Sequence, residues 1–249
     1  MPNSLPATAL CQVLREDPDL AATIDPERRP RAIAECVART VRLPRGRWNP
    51  RAGGRLEQGI GLLVLEGLLI RHVGIDGRSG SEVLGEGDLL RPWQGEDALP
   101  TLTVTTGWRV LVPTRLALLD DDAARRFAVY PELTGRLVGR ALERARNLAV
   151  NMAIVHQARV NVRLHMLLWH LADRWGRVRS DGVILPLGLT HTVLADLVAA
   201  RRPTVTSALT QLADRGLVTP VAEGWLLAGD PPGELLELQA VEVAPAAEL

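Results

Sequence analysis

Between Leu194 and Leu212 the chain reads as two short helices joined by a tight turn, and few folds accommodate that pattern. Leu194, Leu197, Val198, Val205, Ala208, Leu209 and Leu212 recur at i, i+3 and i+4 spacing and give each helix one apolar face. Ala195 and Ala199 are the small residues expected where the two helices cross. Pro203 suits the first turn of the second helix, where its missing N–H removes no hydrogen bond. Arg201 and Arg202 stand at the same end. A helical hairpin with a charged connector is the plainer account of these residues, and the flanking segments weigh against it.

Upstream lies an amphipathic segment, Val160 to Trp175, then a turn at Ser180-Asp181-Gly182 and an apolar run, Val183-Ile184-Leu185. Downstream, Leu217 to Val221 and Trp225 to Leu227 flank a turn at Glu223-Gly224, the pattern of a β-hairpin. Helix, strand, helix, helix, hairpin is the order of a winged helix-turn-helix. In that order, Arg159-Val160, Arg163-Leu164, Leu167-Leu168 to Leu171-Ala172, Leu189-Thr190, Leu194 through Leu212 and Asp214 through Val218 resemble the DNA-binding domain of the Crp/Fnr family of bacterial regulators.

The resemblance extends upstream and covers roughly residues 45 to 229. Gly61 to His72 is similar to a strand-turn-strand unit of the family's β-roll sensor, and Leu84 to Leu90 is similar to its Gly-Asp turn. Frequent turn signals between residue 45 and about 119 independently suggest an all-β barrel or roll. The fold expected is α+β, with a β-roll (double-stranded β-helix) sensor domain, a long dimerisation helix and a C-terminal winged helix-turn-helix. Its expected segments are a helical stretch at 1–44, the cyclic-nucleotide-binding-like roll at 45–128, the helix at 129–158, the winged helix at 159–229 and an acidic tail at 230–249.

A zero formal net charge over 249 residues is odd for a DNA-binding protein, but the charge is unevenly spread. Residues 157–229 hold eight arginines against five acids, whereas 230–249 hold five acids and no base. All 29 basic residues are arginine, so any phosphate or guanine contact must use a guanidinium fork. No apolar run approaches the roughly 18 residues of a membrane span, and no charged-then-apolar leader opens the chain, so a cytoplasmic protein is expected. Cys11 and Cys36, the only cysteines, are expected to be reduced thiols there. The tail could dock a short helix through Leu235, Leu236 and Leu238 or be disordered.

Val138, Ala141, Ala145, Leu148, Met152 and Val155 follow spacings of 3, 4, 3, 4 and 3, an a/d seam. It predicts a homodimer interface, with Arg136, Arg140, Glu143, Arg144 and Arg146 on the other faces. A helix packed on its own sensor domain is the competing account, and both uses can hold together. Two-fold symmetry would supply a second half-site to a recognition helix that binds weakly alone.

Cyclic-nucleotide-binding members of the family carry Gly-Glu after the Gly-Asp turn and an Arg-Ser-Ala-like stretch about ten residues on. Here Gly87-Asp88-Leu89-Leu90 leads into Arg91-Pro92-Trp93, and the second position falls near Ala98-Leu99-Pro100, without guanidinium or hydroxyl. No cyclic-nucleotide response is therefore expected. Arg91 and Trp93 remain candidates for an effector pocket, and Trp48, Trp93 and Trp108 read mainly as core. His72 follows Gly67 by five residues and Pro2 follows Met1, as in the family's haem-based carbon monoxide sensors, but a histidine at a strand edge is more often a surface residue. No cofactor and no metal are expected, because two cysteines cannot hold an iron–sulfur cluster and the five histidines are dispersed. No nucleophile-elbow, P-loop or Cys-x-x-Cys motif occurs, so an enzyme is not expected.

The resemblance places a recognition helix at about 202–213 in the major groove of double-stranded DNA. By position Arg202 would read guanine, and Thr204, Thr206, Ser207 and Thr210 would face base edges. Arg201, Thr190 and His191 lie at helix starts and suit phosphate. RNA polymerase is a further partner that such a regulator implies, and a small-molecule effector remains open. The alternative is a haem- or small-molecule-sensing roll whose winged helix contacts protein. Two departures from the family, Arg201 in place of a hydroxyl N-cap and Pro203 in place of an acid, bear on which DNA sequence is preferred.

Overall fold

Among the described residues the first element is a strand, not the helix expected there. The computed structural model describes residues 9–50, 59–76, 78–93 and 103–233. It divides into two units, Met1–Leu148 and Ala149–Leu249. In the first, β1 (Ala9–Gln12) leads into α1 (Val13–Glu16), α2 (Pro18–Ala22) and α3 (Arg29–Glu35), and then β2 (Val37–Leu43). β1 and β2 pair antiparallel, so the sheet begins well before residue 45 and the expected helical stretch at 1–44 carries two strands beside its three short helices. In β2 Ala38 and Thr40 are buried on one face and Val41 and Leu43 on the other, while Arg39 and Arg42 are exposed, so the covered face changes midway along the strand.

β3 (Gly46–Trp48), β4 (Gly61–Ile75), β5 (Arg78–Gly85), β6 (Leu89–Leu90) and β7 (Val104–Leu119) complete the first sheet. Its strands run β1-β2-β7-β4-β5, with β3 on β7 and β6 on β4. Gly61 to His72, expected as strand, turn, strand, lies within one bent strand. The register of β4 against β7 slips around Glu66 and Leu68, and Gly67 sits at the slip with φ +102°. A Cβ on Gly67 would lie 2.5 Å from the Pro113 carbonyl oxygen, so glycine is required at this bulge. The Gly-Asp turn forms as read: the Gly85 amide donates to Asp88 Oδ2 at 2.8 Å.

β4 is covered on both faces, which is why its sequence reads as a continuous apolar run. Leu63 and Leu65 join Phe127, Tyr130, Leu133 and Leu137 and the short N-terminal helices in one cluster. Leu62 and Val64 join Trp48, Trp108, Leu84 and Leu90 in the other. Trp48 and Trp108 meet edge to face, centroids 5.4 Å apart. Cys11 and Cys36 are free thiols; burial pushes Cys36 up to about 11 and raises Cys11 as well.

Asp120 caps α4 (Asp121–Phe127) by accepting from the Ala123 amide, and α5 (Pro131–His156) follows. Leu133 and Leu137 bury one face of α5. Arg140 and Arg144, placed by the sequence on the faces away from the seam, continue that face. Arg140 pairs with Asp17 and Asp19, and Arg144 pairs with Glu82. Val138, Leu142 and Met152 are 53%, 63% and 65% exposed, an apolar stripe left open on the same helix. Ala141 and Ala145 are exposed beside it, whereas Leu148 and Val155 are half-buried.

The second unit holds α6 (Val160–Trp175), β8 (Arg177–Arg179), β9 (Gly182–Leu185), α7 (His191–Leu197), α8 (Arg202–Asp214), β10 (Val218–Val221) and β11 (Gly224–Leu227). Its four strands run β10-β11-β9-β8. β8 was not expected: all three of its residues are exposed, so it has no buried face for a periodicity to mark. Gly224 opens β11 at φ +148°, where a Cβ would lie 2.2 Å from the Leu185 carbonyl oxygen. Pro2, Gly53-Gly54, Ala98-Leu99-Pro100 and the tail from 234 onward lie outside the described residues. Among the described residues no helix is long and apolar enough to cross a membrane.

Candidate nucleic-acid interface

α7 and α8 are held in a fixed geometry from both ends of the turn between them. Thr190 is the N-cap of α7, its Oγ1 accepting from the Val193 amide at 3.3 Å. At the other end the Ala200 amide donates to the Ala195 carbonyl at 3.0 Å, the outer bond of a Schellman motif. Ala199 then takes φ +49°, the left-handed conformation that usually falls to glycine. Ala199 is exposed at this turn, and only Ala195 is packed between the helices as expected. Arg163 of α6 donates to the Val198 carbonyl at 3.1 Å, placing a cation at the C-terminal end of α7.

α8 divides cleanly. Val205, Ala208, Leu209 and Leu212 are buried. Arg201, Arg202, Thr204, Thr206, Ser207 and Thr210 are exposed on the other side. No acid lies in the first turn, Arg201 makes no side-chain cap and Pro203 has no N–H to offer. The amides of Arg202 and Thr204 therefore face outward beside two guanidiniums, which suits a phosphate. Thr190 uses its oxygen as acceptor in the cap. The expected residues thus fall on two adjoining helix starts and one exposed helix face.

Of the four hydroxyls of that face, those of Thr206, Ser207 and Thr210 are engaged. Thr206 Oγ1 donates to the Arg202 carbonyl at 3.1 Å, Ser207 Oγ to the Pro203 carbonyl at 3.2 Å and Thr210 Oγ1 to the Thr206 carbonyl at 3.1 Å. His191 Nδ1 lies 3.0 Å from Thr206 Oγ1, and its ring is tilted over Trp225 at 6.4 Å. No periodicity announces the pairing of His191 with Thr206, which are 15 residues apart in sequence. Leu142 was likewise missed, because it falls one residue off the 3-4 spacing that marked the seam.

Residues 162–231 match the family model of the Crp-like helix-turn-helix domain. The second unit carries a Crp-like helix-turn-helix. Around this Crp-like domain the fold is similar to those of solved structures that cover most of the chain. It is similar to a CooA mutant from Carboxydothermus hydrogenoformans, with 18% identity, 94% of this chain and 97% of that one covered, and a TM-score of 0.61. CprK complexed with OCPA gives 14% identity, coverage of 91% and 93%, and a TM-score of 0.55. FixK2 from Bradyrhizobium japonicum gives 15% identity, coverage of 85% and 99%, and a TM-score of 0.55. No curated protein matches the chain.

In the roll, Arg91 stacks over Trp93 at 6.0 Å and reaches the Gly59 carbonyl oxygen at 3.4 Å. The indole nitrogens of Trp48 and Trp93 are buried without a hydrogen-bond partner among the described residues. His72 Nδ1 lies 2.8 Å from Ser81 Oγ on the neighbouring strand. No group of three or more His, Cys, Asp or Glu side chains among the described residues is arranged to hold a metal ion.

Proposed function

We propose that the protein is a homodimeric, sequence-specific transcription regulator that inserts α8 into the major groove. One observation carries this reading: the Crp-like domain exposes Arg201, Arg202, Thr204, Thr206, Ser207 and Thr210 on one face of α8, with no acid in its first turn. Arg202 reads a guanine through O6 and N7. Arg201, Thr190 and His191 hold the flanking phosphates. The exposed stripe Val138, Ala141, Leu142, Ala145, Met152 on α5 is the dimer seam, with Leu148 and Val155 at its margin. Two α8 helices then meet successive major grooves about 34 Å apart.

The effector is not a cyclic nucleotide. Arg91, the guanidinium that follows the Gly-Asp turn in sequence, is turned onto Trp93 and a backbone carbonyl. An anionic ring phosphate loses several kcal/mol of hydration on entering a β-roll unless charged donors replace the water. The unpartnered indole N–H groups of Trp48 and Trp93 favour instead a largely apolar ligand carrying a hydrogen-bond acceptor.

The test is operator selection from a random duplex pool by the full-length protein, followed by titration of the selected site. A palindromic site bound by a dimer is the expected result. Equal affinity for selected and random duplexes would leave the winged helix as a protein-contact module.

A further inference from the structure

The recognition face of α8 bears four hydroxyl side chains, and three of them have already committed their protons. Ser207 and Thr210 donate to the carbonyls four residues earlier. Thr206 is held twice, by the Arg202 carbonyl at 3.1 Å and by His191 Nδ1 at 3.0 Å. A threonine hydroxyl has one proton. If His191 carries its proton on Nδ1, the ring donates to Oγ1 and the hydroxyl donates to Arg202. If Nδ1 is bare, the hydroxyl donates to the ring. In both cases no proton on Thr206 remains for a base acceptor. The residue is nonetheless exposed, and with Oγ1 engaged its methyl is the one side-chain group left without a hydrogen-bond commitment.

We infer that Thr206 is a methyl reader that recognises the C5-methyl of a thymine, and that His191 is the positioning residue that makes it so by engaging the hydroxyl. This rests on the DNA-binding reading above. The major groove distinguishes thymine by that methyl, and apolar contact with it is a recognised mode of direct readout. A free threonine hydroxyl would satisfy several base edges and discriminate poorly among them. His191 removes that freedom from outside the helix. It stands at the first position of α7, and its ring rests near the buried Trp225 of the hairpin. The aromatic contact sets the ring plane, and the ring in turn holds Oγ1. His191 Nε2 stays available for a phosphate, so one side chain can serve both purposes. Thr206, Ser207 and Thr210 then present carbon and acceptor lone pairs, with hydrogen-bond donation left to the guanidiniums of Arg201 and Arg202 and to the Thr204 hydroxyl in the first turn. Guanine and thymine are the bases such a face selects.

The experiment uses the full-length protein and its selected operator, in which each thymine in turn is replaced by deoxyuridine, a change that deletes only the methyl. One thymine in each half-site should respond, with binding weakened about four-fold per half-site, the value of one buried methyl. Thr206→Val, which keeps a methyl there without a hydroxyl, should preserve the thymine preference. Thr206→Ser should bind thymine and uracil sites equally. His191→Ala should lower the thymine-to-uracil ratio toward one, and His191→Asn, which keeps a donor near the place of Nδ1, should restore it. A merely structural role for His191 would weaken both sites alike and leave their ratio unchanged, which would overturn its positioning role. Indifference of the wild-type protein to every replacement, or retention of the ratio in Thr206→Ser, would overturn the methyl reading while leaving DNA binding intact. Failure to select any operator would overturn both.

Discussion

Arg144 of the long helix grips Glu82 of the first sheet, Nη2 to Oε1 at 2.5 Å and Nε to Oε2 at 3.1 Å. Glu82 is 5% exposed and also meets Arg71 Nε at 2.5 Å, its cross-strand neighbour on β4. Burial lowers Arg71, Glu82 opposes that shift, and Arg144 adds to it. One carboxylate therefore lets two guanidiniums lie together against the apolar interior. Glu82→Gln should destabilise the protein by about 3 kcal/mol, because both cations lose their counter-charge at once. Arg144→Met should cost less, since Arg71 still neutralises the acid. Urea unfolding of the two variants would order them; an equal loss would refute the sharing.

The left-handed Ala199 is a local cost within the helix-turn-helix. A Cβ in that conformation costs about 1–2 kcal/mol, part of which glycine would return as chain entropy. Ala199→Gly should raise stability by about 0.5–1 kcal/mol and leave DNA affinity within two-fold. A loss of stability by thermal unfolding would show that the turn relaxes differently.

Arg202 and Arg201 should separate in their salt dependence. Arg202→Ala is expected to cost about 1–3 kcal/mol on the selected operator and to broaden the base preference at one position. Arg201→Ala should weaken all duplexes alike and reduce the slope of log affinity against log salt by about one. Anisotropy titrations at several salt concentrations measure both.

Leu142 and Met152 are exposed on the open stripe of α5, so charge there leaves the monomer's core untouched. Leu142→Glu with Met152→Glu places like charges opposite their own copies across a two-fold axis. Sedimentation should show a folded monomer with reduced operator affinity. An unchanged dimer would move the interface elsewhere.

Acid should unfold the first unit through its paired carboxylates. Arg115 holds Glu16 below the ordinary 4.5, and Arg140 and Arg136 hold Asp19 below 3.8. A depressed folded-state value contributes stability that is complete above the unfolded value and lost as pH falls through the folded one. The loss should thus begin below about pH 5 and continue below pH 4. Asp173 in the second unit is raised by burial and has the opposite sign, so protonation there relieves a penalty. Arg140→Gln should flatten the pH dependence near pH 4 in circular dichroism melts; an unaltered profile would remove Asp19 from the account.

The helix pair, its apolar faces, the Gly-Asp turn and the long helix were legible in the sequence because each rests on a local period or a local turn residue. Leu194 to Leu212 specifies two helix faces through side-chain spacing alone, and Arg201, Arg202, Thr206 and Ser207 follow from it as the residues left outside. Three things required the tertiary structure. β1 and β2 joined the first sheet because non-local pairing overrode a weak helical pattern. Gly67 became a bulge in one strand because the Pro113 carbonyl occupies the space a Cβ would need. Arg140 and Arg144 turned inward because Asp17, Asp19 and Glu82 converge on α5 from positions 62 to 123 residues away in sequence, and no period in α5 reports them. The same holds for His191 and Thr206: spacing determined that both would be near a helix surface, but only the crossing of α7 on α8 decided that one would occupy the other's hydroxyl.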